Sequence, residues 1–313
     1  MAKEQLKLKK NPKMKASELR LIDTHRKKQK KDGGDYTEDN YEIIDPVDHM
    51  IEHGTFRERK SDIDDLKMIF DDRQQIIKLK NKVNNQLLAY QRKTDNVSET
   101  TVEWLKEQGD YFNLRVKDKS KELEKEIKKL AKTDTKEGIL IKCCLDVSSV
   151  GFVTIAACLV YIDIEKARHA SSLWAYAGLD KPSRSRYTKG ESGGGNKTLR
   201  CILFNLAESQ IKNKKSAYRS VYDDTKSRLE KSEKTVLSRN TQGKEIECMW
   251  KDTKPSHRHG AAIRKIMKHF LADYWYVART IYELPTDALY PEAILGGNHR
   301  TIMPEERGWN YNI

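Results

Sequence analysis

Residues 62–92 read DIDDLKMIFDDRQQIIKLKNKVNNQLLAYQR. Ser61 and Asp62 offer an N-cap, because a short oxygen-bearing side chain can accept from the unpaired N–H groups of a first helical turn. Leu66, Ile69, Ile76, Val83, Leu87 and Tyr90 then recur at three- and four-residue steps, with wider gaps where Arg73 and Lys80 interrupt. That is a heptad seam with two basic breaks. A helix of this length exceeds an ordinary surface helix. It fits the arm of a helical hairpin within the chain, or a dimerising coiled coil that makes a homodimer or higher oligomer through 62–92. Residues 99–132 supply a second helix that packs either way. They hold Trp104, Leu105, Phe112, Leu123, Ile127 and Leu130 among repeated Lys and Glu, the mark of a solvated helix.

Thr133–Gly138 breaks that helix, and the most apolar region follows. Ile139–Leu145 reads as a short helix, Ser148-Ser149-Val150-Gly151 as a tight turn, Phe152–Ile162 as a second helix and residues 168–177 as a third, closed by Gly178. A polar loop spans Asp180–Gly195. Helices follow over 199–211 and 216–236, then an irregular insertion at 237–256, then a strongly amphipathic helix at 260–281. Almost no segment alternates apolar and polar residues as a strand does. The expected fold is mainly α: long coiled-coil-like helices plus a compact helical domain with a helix-hairpin-helix-like element. The domains read as a basic arm at 1–60, helices at 61–135, a compact domain at 136–283 and a loop-like tail at 284–313.

Across 313 residues, 60 Lys and Arg against 47 Asp and Glu leave a formal charge of +13. That excess favours polyanions, nucleic acid first among them. The longest apolar stretch, Gly151–Ile162, is too short to span a bilayer, so no membrane partner is expected. The first residues are basic without an apolar run, unlike a secretory signal. Five cysteines at irregular spacing (Cys143, Cys144, Cys158, Cys201 and Cys248) fit reduced thiols in a cytoplasmic, nucleoid-associated protein. Cys248, His257 and His259 supply only three ligands without paired spacing, so no metal site is assigned.

Two constellations point to nucleic acid. In the first, Ser148, Ser149 and Gly151 form the turn between two short helices. Such a turn can aim helix N-terminal N–H groups at a phosphate oxygen, with small residues allowing close approach. Glycine is commoner at the position Ser149 occupies, and an ordinary packing corner is the competing reading. In the second, residues 181–200 interleave Lys181, Arg184, Arg186, Lys189, Asn196, Lys197 and Arg200 with Tyr187 and glycines. A loop of cations, hydroxyls and one aromatic can grip a sugar-phosphate backbone.

Leu145–Ala157, Ala175-Tyr-Ala-Gly-Leu179, the basic loop and Gly195-Asn-Lys-Thr-Leu-Arg200 together resemble the C-terminal domain of the insertion-sequence 110/116/902 transposase family. Residues 62–92 resemble that family's central helix. The likeness covers about half the chain. It implies DNA transposition or site-specific recombination by serine-mediated strand transfer, with a magnesium-binding RuvC-like domain and, in some members, a structured guide RNA. Ser183, Ser185 and Ser192 are the candidates for the family's nucleophile. A serine needs an activating base or metal, and His169, His257 and His259 qualify only by type. Glu42, Asp45, Asp48 and Glu52 lack the apolar strands that a RuvC-like domain would use to fix them, so they read as solvated charge. The nuclease half is therefore expected to be missing, with Mg entering only if such a domain is supplied in trans. A non-catalytic DNA- or RNA-binding regulator or architectural protein derived from a transposase is the alternative.

Overall fold

The computed structural model describes residues 63–92, 98–180, 195–239, 245–286 and 302–311, all within one compact unit, Arg59–Ile313. The 1–60 arm, its acidic cluster, most of the basic loop and residues 287–301 lie outside the described residues. The seam forms one continuous helix, α1 (Ile63–Arg92), and the next segment forms α2 (Glu99–Leu130). Asp64 and Asp65 begin α1, while Lys128 and Lys129 end α2. Each charge opposes the dipole end it occupies.

α1 and α2 pack against each other within the chain. Arg73 Nε donates to Ser120 Oγ at 2.9 Å, and Lys119 bridges Asp72 at 3.5 Å. Leu66, Phe70, Leu123, Ile127 and Leu130 are buried at the base of this hairpin. Further along, Ile76, Val83 and Leu87 are half-buried and Tyr90 is exposed. The heptad seam therefore serves an intramolecular pair, and its far half is incompletely covered.

The compact part follows in short helices: α3 (Lys136–Asp146), α4 (Phe152–Tyr161), α5 (Ala170–Tyr176), α6 (Lys197–Lys212) and α7 (Ala217–Lys231). Thr135 caps α3 by accepting from the Gly138 N–H at 3.1 Å. The central element is α8 (Pro255–Ile281), which begins with proline at its first turn, where no N–H is needed. One face of α8 buries Ile263, Ile266, Met267, Phe270, Leu271, Tyr274 and Trp275 against α3, α5, α6 and α7. Each fully buried side chain of this size contributes about 1.5–3 kcal/mol before entropy is counted. Trp275 Nε1 and Arg279 also donate to the carbonyls of Ala167 and Ile164, fixing the chain that leads from α4 into α5.

Two expectations need correction. An antiparallel pair, β1 (Thr235–Arg239) and β2 (Glu245–Met249), with Val236 opposite Cys248, takes the place of the irregular insertion at 237–256 and of the end of the helix expected over 216–236, which stops at Lys231. Each strand has five residues, too short for alternation to stand out. The loop-like tail is also anchored. Residues 304–307 form a 3-10 turn, and Trp309 is buried in the core. Its Nε1 donates to Tyr218 Oη at 2.8 Å, and Tyr218 donates in turn to Asp273 Oδ2 at 2.5 Å. Arg307 closes the network with two bonds to the same carboxylate. No helix among the described residues is long and apolar enough to cross a membrane.

Candidate nucleic-acid interface

The α3–α4 corner is a tight turn between two short helices. Ser148, Ser149 and Gly151 are all exposed, while Val147 and Val150 are buried and hold the corner down. Ser149 has φ of +64°. That left-handed conformation is the physical reason glycine suits the position. The C-terminal end of α6 fixes the corner from behind. Gln210, fully buried, donates to the Ser148 carbonyl at 2.8 Å, and its own carbonyl accepts from Ser216 Oγ. Asn213 Nδ2 donates to the hydroxyls of Ser148 and Ser149 at 2.7 and 2.8 Å.

Gly151 is the N-cap of α4 and offers no side chain to the first turn. The Phe152 and Val153 N–H groups have no acceptor inside the helix, as at any helix start. A Cβ built on Gly151 would meet nothing within 4 Å. The fold itself does not need glycine there; the space above the helix start is open.

The root of the basic loop lies at the other end of α6. Gly195 has φ of +60°, and the position a Cβ would take lies against the end of α5, with Asn196 N donating to the Tyr176 carbonyl at 2.6 Å. Asn196 Oδ1 caps α6 by accepting from Leu199 N at 2.9 Å, and its Nδ2 donates to Tyr176 Oη at 3.2 Å. The Ala-Tyr-Ala-Gly-Leu and Gly-Asn-Lys-Thr-Leu-Arg stretches are thus two halves of one local joint. Arg200 strengthens it, donating to the Gly178 carbonyl at 3.3 Å. Asn196 has a structural position here, whereas Lys197 is exposed. Lys181, Arg184, Arg186, Tyr187, Lys189 and the three candidate serines lie outside the described residues.

Beside this joint, folding brings four further cations, which no motif indicated, toward Arg200 of the basic stretch. Arg264, Lys265 and Lys268 of α8 stand near Arg200 of α6 and Arg228 of α7. Desolvation lowers the Arg264 pKa, and the charge of Arg200 lowers it further. Lys268 is lowered by desolvation and then by Arg264, with Asp180 opposing. Lys265 is lowered by desolvation, Arg228 and Lys268. None of these five has an ion pair with a described carboxylate. Lys268 Nζ sits 5.2 Å from the centre of the half-buried Trp174 ring, and Trp174 Nε1 donates to the Lys268 carbonyl. Crowded like charges with few acids to compensate them favour a polyanion.

Among the described residues, no group of three or more His, Cys, Asp or Glu side chains could hold a metal ion. His259 Nδ1 shares a hydrogen bond with Tyr222 Oη at 2.7 Å, and its Nε2 lies 3.5 Å from Glu208. The His257 ring lies 5.0 Å from the Trp250 ring, tilted by 41°. Burial pushes the Cys143 thiol up to about 11 and the Cys158 thiol up to about 12, so neither forms a thiolate near neutrality. Cys201 is exposed. No protein-family model and no curated protein matches this chain.

Proposed function

We propose that this protein binds nucleic acid, DNA foremost, as a transposase-related protein acting in DNA transposition or site-specific recombination. The observation that carries the reading is the placement of two cation- or N–H-presenting patches at opposite ends of α6. The α3–α4 corner is held by Gln210 and Asn213, and the Arg200–Arg264–Lys268 cluster stands at the root from which the basic loop springs. From Arg200 to Gln210, a helical rise of 1.5 Å per residue spans about 15 Å. That is about four to five base-pair steps along one strand. The two patches would contact separate phosphates of one duplex and fix its register, which is the role of backbone contacts in DNA recognition.

Strand transfer would fall to Ser183, Ser185 or Ser192 in the loop rooted at this joint, with Mg supplied only by a nuclease domain in trans. Replacing all three with alanine is expected to abolish recombination, and recombination at the wild-type level would refute a serine step. The second reading, a non-catalytic DNA- or RNA-binding regulator, is favoured by one observation: the two histidines nearest in type to a base, His257 and His259, are engaged with Trp250 and Tyr222. The exposed far half of the α1–α2 hairpin supports self-association through residues 62–92.

Crosslinking in the native cells followed by stringent purification and sequencing tests the function directly. Recovery of a defined DNA junction, with or without one structured RNA, is expected for a recombinase. Broad DNA recovery favours the architectural reading, and no nucleic acid at all overturns both.

A further inference from the structure

A cavity of about 400 Å³ lies between α1, the α3–α4 corner and the outer face of α6. Its polar wall carries Arg73, Gln74, Ser149 and Asn205, and no acidic side chain lines it. The rest is apolar, with Ile77 on one side and Ile202 and Leu206 on the other. Arg73 uses Nε on Ser120 and makes no ion pair with a described carboxylate. Gln74 Nε2 is buried with no hydrogen-bond partner. A buried, unanswered donor is costly and rare in a native protein. Here it stands beside a half-buried guanidinium without a counter-charge, at a cavity that also includes the open N-terminal start of α4 at Gly151.

We propose that this cavity receives one nucleotide unit, its phosphate bound by Arg73 and by the Gln74 amide, whose sealed Nε2 turns toward the cavity on binding, and its base or sugar against Ile77, Ile202 and Leu206. The donors call for an anion. The volume is many times that of a water molecule and falls in the range of small-ligand sites, so a bare phosphate would leave the apolar part empty. This inference deepens the nucleic-acid reading, because the nucleotide would be one turned out of a bound strand or at its end. The same chemistry is offered by a free mononucleotide.

Cys201 is exposed and lines the cavity, which makes its alkylation rate a direct report on occupancy. The full-length protein with Cys248→Ser leaves it as the reactive thiol, since Cys143, Cys144 and Cys158 are buried. Maleimide labelling would be followed alone, with dAMP, and with a 5′-phosphorylated ten-nucleotide single strand, while fluorescence anisotropy reports strand binding separately. Protection of at least about fivefold by the strand is expected, and Gln74→Leu should abolish it. The same variant should melt at or above the parent temperature, because it removes an unpaired buried donor. Protection by dAMP alone supports the cavity with a free nucleotide as its source, whatever becomes of strand binding. Cys201 reacting at its free rate with both probes, even while the strand binds elsewhere by anisotropy, overturns the proposal. So does undiminished protection in Gln74→Leu.

Discussion

Gly195 has φ of +60°, and a Cβ there would lie 2.2 Å from the Tyr176 carbonyl oxygen and 2.6 Å from Gly178 N. Both obstacles are backbone, so no side chain can move aside. Gly195→Ala is expected to cost at least about 2 kcal/mol and to loosen the loop root. A urea melt checks it, and an unchanged midpoint would mean the joint is not as tight as described. His269 offers a second test at this scale. Burial, then the charges of Lys265 and Arg307, push its pKa down to about 3, against 6.5 ordinarily. A depressed folded pKa means the unfolded chain takes up the proton first. The stability from neutral His269 is therefore complete above pH 6.5 and is lost as pH falls toward 3. The slope is about 1.4 kcal/mol per pH unit below about pH 6. His269→Gln should flatten that part of the stability profile; the same slope in both proteins would show that another group is responsible.

The α1–α2 hairpin leaves Leu79, Leu88 and Tyr90 on α1, and Trp104, Tyr111 and Leu114 on α2, substantially exposed. Trp104, Tyr111 and Leu114 are spaced by seven and three residues and so share a face of α2. From Ile76 onward α1 carries Lys78, Lys80, Lys82 and Arg92 with no acid, while the start of α2 carries Glu99, Glu103, Glu107 and Asp110. Two hairpins can therefore pair with charge complementarity around an aromatic stripe. Sedimentation should show a dimer that Trp104→Glu weakens at least tenfold, and a monomer at all concentrations would remove self-association from the account. The long helices were legible because a heptad repeat declares itself over several turns, and the Ser148–Gly151 corner because small residues cluster there. The cation cluster was not legible: Arg200 and Arg264 sit far apart in the chain and meet only when α8 packs on α6. The β1–β2 pair escaped notice because two five-residue strands give alternation little length. Trp309 escaped because its burial depends on Asp273 and Tyr218, partners that no local pattern near residue 309 reveals.

For the whole molecule, +13 charges give a general attraction to polyanions, and that attraction alone would be spread evenly over the surface. Folding adds a local concentration, Arg200, Arg264 and Lys268 gathered near the N-terminal end of α6, and binding through that cluster is what the proposed function most needs. Arg200 and Lys268 are partly exposed, and their replacement gives up one hydrogen bond to the Gly178 carbonyl and one contact with the Trp174 ring, so a thermal melt of the variant checks that the fold is kept. The most direct measurement is the affinity of the full chain for a thirty-base-pair duplex across a salt series, compared with Arg200→Ala/Lys268→Ala. Log affinity should fall linearly with log salt, and the double variant should bind at least about tenfold more weakly with a slope shallower by about two. Equal affinity and equal slope for the two proteins, or no duplex binding by either, would contradict binding through this cluster.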